Sequence, residues 1–433
     1  MNIAVIGAGV VGVATAYALV KAGFKVSLFE KNNDVGLEAS FANGAQLSYS
    51  YVAPLAEPSA LKDLPKYLIY KKSPLKFNLK FNLKQWLWGL QFIKACSAAK
   101  SAQTTSELLS LSYFSRAQMH DFIEQKLSSA ETDFQFRKNG KLVIYRCDTA
   151  LLKAAQQVKL QQSMGSTQSV LDKAQCLAIE PSLSTISEKI VGGVYTPSEE
   201  LGDCYEFSKC LLKELQSHAS FSLYLNSKIV NINQENNEFK LKYQTDTANI
   251  LKPQQLSFAQ VVLSAGIESI EIAKQMNVSL PLYALKGYSL TVALKDNDIV
   301  PEISITDSAK KIVYARLGDT FRIAAMVDMG DATKIINPQR IAQLIEEAQE
   351  MFPTLDYANA IQWTGLRPAT AQGKPIIDES PIPGLWLNVG HGALGFTLAL
   401  GSGELLAELI RKKLDLSAQV SLDPEPFSYA NVR

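Results

Sequence analysis

The residues whose types and spacing point most directly to chemistry are glycines near the N-terminus. Gly7, Gly9 and Gly12 follow the spacing GxGxxG. In such a loop the first glycine permits a tight turn, the second lets the backbone approach a pyrophosphate, and the third lets a helix pack closely on a strand. Glu30 follows 18 positions after the last glycine, where a carboxylate can accept hydrogen bonds from both hydroxyls of a ribose. The spacing therefore predicts a dinucleotide site.

Two strands and a helix must hold this loop. A short apolar run precedes it, and an apolar helical face, a stop at Gly23 and a second apolar run follow it. The N-terminus of such a helix offers unpaired N–H groups and a partial positive charge to phosphates. The alternative is an ordinary buried βαβ unit with a glycine-rich loop. The cofactor-binding residues predicted here are Gly7, Ala8, Gly9, Val10, Val11, Gly12, Glu30 and Lys31.

Two further loops of small residues help to choose the dinucleotide. One lies at residues 39–46, and the other follows a buried strand at residues 385–389 and precedes a helix predicted from about residue 398 to 414. Three such loops from both ends of the chain converging on one long cofactor favour FAD over a nicotinamide. These loops add to the predicted cofactor site Ser40, Asn43, Gly44, Gln46, Gly390, His391, Gly392, Gly395, Phe396 and Thr397.

Length and composition limit the class of protein. The chain has 433 residues, 47% of them hydrophobic and 20% charged, with a net charge of +1. This length predicts two or three domains, and the charge balance argues against a broad nucleic-acid surface. Five scattered cysteines without a CxxC pair and three distant histidines predict a reduced, intracellular protein without a metal site. The uncharged stretch at residues 3–20 is interrupted by glycines, so it predicts folded structure rather than a leader or a membrane span.

More specific motifs occur in a fixed order along the chain. They are VIGAGVVGVA at 5–14, ANGAQLS at 42–48, GDC at 202–204, PLYALKGYSLT at 281–291, WTGLRP at 363–368, and the stretch at 385–403. The sequence resembles the family of FAD-dependent amine and amino-acid oxidoreductases that includes D-amino acid oxidase, glycine oxidase and sarcosine oxidase. Within this family it is most similar to the bacterial D-amino acid dehydrogenases of the small-subunit type.

The resemblance implies an α/β protein with two domains. One is a discontinuous, Rossmann-like FAD-binding domain, and the other is an α+β substrate domain built around an antiparallel sheet. Alternation at residues 287–294 predicts a strand, and residues 311–326 predict a hairpin. Helical spacing from Ile341 to Ala348 predicts a helix that covers the sheet. The FAD-binding segments are expected at 1–60, 190–275 and 355–433, and the substrate-binding segments at 61–189 and 276–354.

The resemblance also implies a reaction. Hydride passes to flavin N5 from the α-carbon of an amino acid whose amino group is neutral. The imino acid product then hydrolyses to a 2-oxo acid and ammonia. No protein base is needed, so the protein must position the substrate and tune the flavin. The same motifs leave two alternatives open. One is a flavin enzyme that acts on a secondary or cyclic amine (proline, hydroxyproline, glycine or sarcosine). The other is a non-catalytic or tRNA-modifying FAD protein.

An arginine is the expected clamp for the substrate carboxylate, because a planar guanidinium binds a carboxylate with two hydrogen bonds. Arg367 matches the position at which glycine oxidase-like relatives hold that carboxylate. A structural ion pair is its alternative role, and Arg316 and Arg322 on the predicted hairpin are the next candidates. The sequence departs from these relatives in two places. Their second arginine falls at Ala393 or its neighbour, and their substrate tyrosine falls near Ile312.

Three further side chains are assigned through the resemblance. His391 is placed at the flavin ring, where it would stabilise negative charge at the N1–C2=O locus together with the helix dipole. A packing histidine is the alternative. Tyr288 and Lys286 are placed on the substrate side, which makes Arg367, His391 and Tyr288 the predicted catalytic residues.

A basic stretch predicts where the protein works. Residues 62–100 contain nine lysines and a single acidic residue, Asp63. Trp86, Trp88 and Phe92 lie among the lysines. Such a stretch suits a surface resting on an anionic bilayer, and its alternative is a solvated helix whose aromatic residues pack inward. With the resemblance, it predicts a cytoplasmic protein, peripheral on the cytoplasmic face of the inner membrane, that passes electrons to a quinone or a similar respiratory-chain acceptor. The lysines are Lys62, Lys66, Lys71, Lys72, Lys76, Lys80, Lys84, Lys94 and Lys100.

Overall fold

The computed structural model describes residues 1–62, 70, 73–78, 82–126, 134–163, 165–245, 253–415 and 419–432. Lys66, Lys71, Lys72 and Lys80 of the basic stretch lie outside these residues. The strands of the described chain are β1 (Asn2–Ile6), β2 (Lys25–Phe29), β3 (Gln46–Leu47), β4 (Leu75–Phe77), β5 (Lys141–Tyr145), β6 (Ser169–Asp172), β7 (Gly192–Thr196), β8 (Glu200–Leu201), β9 (Phe221–Tyr224), β10 (Ser227–Glu235), β11 (Glu238–Thr245), β12 (Pro253–Phe258), β13 (Gln260–Leu263), β14 (Leu282–Ala293), β15 (Ser304–Asp307), β16 (Ile312–Leu317), β17 (Thr320–Met329), β18 (Ile361–Thr370), β19 (Ile376–Glu379) and β20 (Leu385–Val389).

Helices connect and cover these strands. The α-helices of the described chain are α1 (Val10–Lys21), α2 (Leu83–Ala95), α3 (Ala98–Lys126), α4 (Asp148–Gln162), α5 (Lys173–Ile179), α6 (Cys204–Gln216), α7 (Ser269–Gln275), α8 (Pro338–Met351), α9 (Gly395–Lys413) and α10 (Tyr429–Val432). Short 3₁₀ helices lie at Pro181–Lys189, Gly266–Glu268, Tyr357–Asn359, Gly392–Leu394 and Glu425–Phe427.

A six-stranded sheet carries the first glycine loop. Its strand order is β19-β20-β13-β1-β2-β9, and all pairs are parallel except β19 with β20. Helices α1, α3, α6 and α9 share one hydrophobic core on one face, and the antiparallel sheet β10-β11-β12 packs on the other. Because both faces are covered, β1, β2, β13 and β20 consist largely of apolar residues, as buried parallel strands do.

The second large sheet of the protein has nine strands. Its order is β18-β14-β17-β16-β15-β5-β7-β6, with β4 paired to β17. Most pairs are antiparallel, but β5 runs parallel to β15 and β4 runs parallel to β17. The sheet is therefore mixed where the sequence suggested an antiparallel one, because β4 and β5 enter from a distant part of the chain rather than through hairpins. Helix α8 packs on one face of it.

The secondary structure predicted from the sequence is found, with shifts at the ends. The predicted strand at 287–294 matches the last part of β14, which ends one residue earlier at Ala293, and the predicted hairpin is β16 and β17, which turn through Gly318 at a φ of +55°. Helix α9 begins three residues earlier than the sequence indicated. The exact limits of the two domains stay a prediction.

One helical stretch of the described chain, Gly392–Lys413, is long and apolar enough to cross a membrane by length and composition. In this fold 67% of its apolar 18-residue window is buried inside the protein. Its apolar residues pack in the core shared with α1 and α3. The apolar composition of α9 is therefore accounted for by its central place among these helices.

Candidate active site

The glycine loop after β1 is closely packed at two positions and open at the third. Gly7 has a φ of +99°, and a Cβ there would lie 2.5 Å from the Cα of Ala265. A Cβ on Gly12 would overlap the carbonyl oxygen of Gly7. At Gly9, by contrast, a Cβ would meet only Ser40 Oγ, at 3.5 Å. The loop therefore leaves its free space at Gly9, in front of the first turn of α1.

The first turn of α1 presents backbone donors to that space. Gly9 is the N-cap of the helix, and no side chain caps it. The N–H of Val10 donates to Ser40 Oγ at 3.0 Å, which ties the second loop to the first. The N–H of Ala8 donates to Glu30 Oε2 at 2.8 Å. Ser40 thus uses the first N–H of the helix, and the following N–H groups of this turn, with open space before them, are suited to bind a phosphate group.

Glu30 directly follows β2 and is held in place by the backbone. Its other carboxylate oxygen accepts from the N–H of Asn32 at 2.9 Å. Burial raises the pKa of Glu30, and the two backbone N–H groups act in the opposite direction. Lys31 is engaged by Glu268 and Glu38, whose charges hold its pKa above the usual range despite its partial burial. Glu30 is thus positioned for ribose hydroxyls, whereas Lys31 links surface elements.

The second loop contacts the nine-stranded sheet. Asn43 Oδ1 accepts from the N–H of Ala45 at 2.9 Å, and its carbonyl oxygen accepts from Arg322 at 3.1 Å. A Cβ on Gly44 would lie 2.8 Å from Cγ2 of Val313. The loop is therefore pressed against β16 and β17, and Asn43 holds it in that place.

Two polar side chains complete this attachment. Gln46 donates to the carbonyl of Ile305 at 3.2 Å and accepts from Thr306 Oγ1 at 3.3 Å. Arg322 is buried and pairs with Asp203 at 3.3 Å, and burial lowers its pKa. Arg322 therefore joins β17 to the second loop and to the N-terminus of α6.

The third loop brings a second uncapped helix N-terminus to the same place. Helix α9 starts without a side-chain cap, and a Cβ on Gly395 would lie 4.0 Å from Cγ2 of Val11 in α1. Thr397 Oγ1 accepts from the N–H of Ser48 at 3.2 Å. Phe396 is buried in the hydrophobic core. The first turns of α1 and α9 and the end of the second loop therefore lie side by side.

His391 is a buried, neutral residue beside this helix start. Its Nε2 lies 3.0 Å from Ser402 Oγ, and Ser402 donates its own proton to the carbonyl of Ala399 at 3.1 Å. Ser402 therefore accepts from His391, which assigns the imidazole proton to Nε2. Burial lowers the pKa of His391 to about 3. A neutral packing histidine fits this geometry, and it brings no positive charge to a reduced flavin.

Arg367 lies on β18 and leans across β14. It pairs in register with Leu285, and its side chain lies over Gly287, where any Cβ would overlap the guanidinium. One guanidinium nitrogen donates to the carbonyl of Met326 at 3.1 Å. Met326 has a φ of +67° at an irregularity in the pairing of β14 with β17. A glycine on one strand and a bulge on the next thus make room for the arginine.

No carboxylate in the described part of the chain pairs with Arg367. The side chain is half-buried, and its surroundings lower its pKa through desolvation. An arginine stays protonated in proteins, and a desolvated charge without a partner is costly. This arrangement is suited to an anionic ligand such as a carboxylate.

The face of the sheet that carries Arg367 also faces the second loop. Residues directly opposite on paired strands share a face, and this relation connects Gly287 and Ser289 on β14 with Ala324 and Val313 on the next strands. Val313 touches Gly44, as described above. Ser289 Oγ is buried there without a hydrogen-bond partner among the described residues. Sequence analysis missed Ser289, although it follows Gly287 by two positions in an alternating strand.

Tyr288 and Lys286 lie on the opposite face of β14, because successive side chains of a strand alternate. Tyr288 donates to Asp328 Oδ2 at 3.0 Å in the core beneath α8. Lys286 is fully buried and pairs with Asp331 at 2.8 Å. The structure therefore does not bring the predicted catalytic residue Tyr288, or Lys286, to Arg367.

The structure also does not bring the other candidate positions, Arg316, Ile312 and Ala393, to Arg367. Arg316 makes a surface ion pair with Glu302. Ile312 is buried beneath α8, whereas its neighbour Val313 takes the site-facing position. Ala393 is exposed in the turn before α9.

These features fit an FAD molecule. The open space at Gly9, before the N-terminus of α1, suits the pyrophosphate, and the fixed carboxylate of Glu30 suits the ribose. The adjacent N-terminus of α9 suits another polar group of the same extended ligand. Ser264 Oγ, beside Gly12, is buried without a partner among the described residues and is free to bind a ligand. No group of three or more metal-ligating side chains meets anywhere in that part of the chain.

Solved structures and sequence relatives define the class. The crystal structure of glycine oxidase from Geobacillus kaustophilus superposes with a TM-score of 0.73, covering 99% of this chain and 98% of that one at 20% identity. This likeness establishes the fold, which is that of FAD-dependent oxidoreductases of the glycine oxidase type.

The family follows from sequence. The profile of the DAO family, described as FAD dependent oxidoreductase, matches residues 2–409, and the chain belongs to that family. D-amino acid dehydrogenase 2 of Ralstonia nicotianae is 40% identical over 422 residues, covering 95% of this chain and 97% of its own. D-amino acid dehydrogenase 2 of Pseudomonas aeruginosa is 40% identical over 413 residues, covering 95% of each chain. The predicted cofactor, FAD, and the predicted family are thereby confirmed.

Proposed function

We propose that this protein is an FAD-dependent D-amino acid dehydrogenase, which converts a D-amino acid to a 2-oxo acid and ammonia and passes the electrons to a quinone or a similar acceptor. The relatives named D-amino acid dehydrogenase, similar over nearly the whole chain, support the substrate class. The observation in the fold that carries the proposal is the half-buried guanidinium of Arg367, which lacks a counter-ion in the described residues and lies on the sheet that contacts the second loop through Val313.

Each step of the reaction has a defined demand on the protein. FAD, when bound, supplies the hydride acceptor. Arg367 holds the substrate carboxylate with two hydrogen bonds. This contact fixes the α-carbon of the substrate relative to the second loop at Gly44. The uncapped N-terminus of α9 contributes the partial positive charge that stabilises developing negative charge. His391, being neutral, supports the turn through Ser402 and carries no charge itself.

Anaerobic bleaching of the flavin absorbance tests the substrate class. We expect D-alanine and other D-amino acids to bleach the holoenzyme, and L-alanine, sarcosine and D-proline to leave it yellow. The names of the sequence relatives support the D configuration, and a carboxylate held at Arg367 would fix how the α-hydrogen is presented to the cofactor. Bleaching by sarcosine or D-proline in preference to D-alanine would assign the protein to secondary or cyclic amines instead.

The acceptor is tested on the bleached enzyme. A soluble quinone should restore the yellow colour faster than air does. Rapid formation of hydrogen peroxide with D-alanine in air would identify an oxidase.

We infer further that the protein attaches to a membrane surface through α2. One face of this helix is exposed and apolar, with residues at a spacing of three and four that the fold leaves uncovered. The opposite face packs inward through Trp88 and Phe92, and Trp88 donates to the carbonyl of Ala369 at 3.1 Å. The exposed residues are Leu83 (74% exposed), Trp86 (51%), Leu87 (53%), Leu90 (56%) and Ile93 (48%).

The charges around this face suit an anionic bilayer. Lys84 and Lys94 are exposed on the same helix, and Lys62 is exposed just before the segment that leads to it. A helix with an exposed apolar stripe and flanking lysines lies in the membrane interface, where each lysine near the surface contributes about 1 kcal/mol. The inward aromatic packing that the sequence offered as an alternative applies to Trp88 and Phe92 but not to Trp86.

Sedimentation with anionic phospholipid vesicles tests this attachment. The double variant Trp86→Gln, Leu90→Gln should bind vesicles at least about tenfold more weakly, because each apolar side chain withdrawn from the interface removes about 1.5–3 kcal/mol. The matched control is Leu152→Gln, Ile299→Gln, which replaces two residues that are 67% and 72% exposed elsewhere. Equal loss in both variants, or no loss in either, would contradict a specific role for α2.

A further inference from the structure

Two buried residues of opposite charge contact the segment that follows the second loop and take no part in the reaction described above. Lys141 on β5 is 2% exposed, and Glu199 before β8 is 1% exposed. Lys141 donates to Ser48 Oγ at 2.8 Å and lies over the ring of Tyr51 at 4.2 Å. Glu199 accepts from the N–H of Ser50 at 2.7 Å. One short segment, residues 48–51, thus holds both charges.

The same segment contacts the start of α9. The N–H of Ser48 donates to Thr397 Oγ1 in the first turn of that helix, which lies beside the first turn of α1. Two hydrogen bonds therefore separate the ammonium of Lys141 from the helix end that faces the cofactor. In a buried, poorly solvated region, a charge at this range acts on its neighbours far more strongly than in water.

We propose that Lys141 and Glu199 are positioning residues for the flavin chemistry, which set the reduction potential of the bound FAD and make it depend on pH. The inference rests on the FAD site of the family and not on the proposed substrate. Reduction of the flavin takes up two electrons and one proton and leaves a negative charge. A nearby ammonium stabilises that charge, and a nearby carboxylate opposes it.

The pair can change its net charge near neutral pH. Burial lowers the pKa of Lys141 and raises the pKa of Glu199, while each charge partly offsets the effect on the other. The hydrogen bond from Ser50 and the charge of Lys141 favour the ionised form of Glu199, but its second carboxylate oxygen has no hydrogen-bond partner among the described residues. As pH falls, Glu199 takes up a proton first and the pair becomes positive. As pH rises, Lys141 loses its proton and the pair becomes negative.

Other titratable groups pack against the pair from the neighbouring elements and belong to the same electrostatic environment. His120 on α3 pairs with Glu200 Oε1 at 2.5 Å, and Tyr113 lies 3.3 Å from Ser50 Oγ. The charged and titratable groups around the pair are Tyr49, Tyr51, Tyr113, Arg116, His120 and Glu200.

The midpoint potential of the holoenzyme flavin, measured at pH about 6 and about 9, tests the proposal. Lys141→Met should lower the potential most at the lower pH, where the ammonium is fully charged. Glu199→Gln should raise it most at the higher pH, where the carboxylate is ionised, and leave it unchanged at the lower pH. Each maximal shift should reach about tenfold in the equilibrium between oxidised and reduced flavin, or about 30 mV for a two-electron couple.

The control is Lys153→Met, which removes an exposed lysine from α4. A structural role for the pair would shift the potential equally at both pH values or not beyond this control, and either outcome would overturn the proposal. Should Lys141→Met fail to fold or to bind FAD, Glu199→Gln decides alone, since it keeps the size and hydrogen bonds of the side chain. No rise at the higher pH would then refute the role. None of these results depends on which amino acid the enzyme oxidises.

Discussion

Gly9→Val yields a folded protein without flavin. Gly9 has extended backbone angles that valine adopts readily, and a Cβ there meets only Ser40 Oγ at 3.5 Å. The apoprotein therefore tolerates the substitution, whereas the branched side chain fills the space in front of α1 where the pyrophosphate binds. We expect at least about a tenfold loss of bound FAD, which corresponds to about 1.4 kcal/mol or more of binding free energy.

Flavin absorbance per polypeptide after purification measures the loss, and a thermal melt of the apoprotein confirms folding. The matched control is Gly89→Val on α2, since a Cβ at Gly89 meets nothing within 4 Å and the residue does not belong to the glycine loop at residues 7–12. Glu30→Ala should also release FAD, because it removes the acceptors of the ribose hydroxyls and leaves two backbone N–H groups unpaired. Full flavin occupancy in both Gly9→Val and Glu30→Ala would refute the cofactor site.

The sequence was informative about the cofactor half of the site because short-range geometry dictates it. The spacing of Gly7, Gly9 and Gly12 follows from the tight turn between β1 and α1, in which Gly12 packs on Gly7, and an acidic residue at the end of β2 suits the ribose of a dinucleotide. Such constraints appear as fixed spacings. The convergence of α1 and α9 was also predictable, since each follows a strand and a glycine loop that lead to the same edge of a parallel sheet.

The substrate half was less predictable because it depends on strand register. The resemblance points to Arg367 and places Tyr288 on the same side, whereas the alternation along β14 puts Tyr288 beneath α8. Shifting a strand by one residue exchanges its two faces. The sequence did not fix which face of β14 meets Arg367, and it gave no signal for the irregularity at Met326. For the same reason Ser289 was missed.

The buried network at residues 48–51 marks a further limit of sequence analysis. Lys141 and Glu199 are far apart in the chain, and lysine and glutamate are among the residues most often found on surfaces. Only the folded chain shows that both are buried against one short segment. Long-range pairs of this kind leave no spacing to recognise in a single sequence.

Arg367→Lys retains flavin and loses substrate affinity. Lysine keeps the positive charge but has neither the planar shape nor the two parallel donors that bind a carboxylate, so we expect a cost of about 1.5–3 kcal/mol. This cost corresponds to a fall in kcat/KM of roughly 10- to 150-fold, with most of the change in KM. Steady-state kinetics with several D-amino acids and an artificial acceptor measure it, and the flavin absorbance per polypeptide should stay at the wild-type value.

Two other arginines provide the comparison that separates a clamp from a structural ion pair. Arg316→Lys changes a surface pair with Glu302 and should leave KM unchanged. Arg322→Lys weakens the buried contacts with Asp203 and Asn43 and should lower the melting temperature more than it raises KM. If Arg367→Lys instead lowers the melting temperature while KM keeps its wild-type value for every D-amino acid, Arg367 is structural. The carboxylate must then bind elsewhere on the face of the sheet that carries Ser289 and Val313.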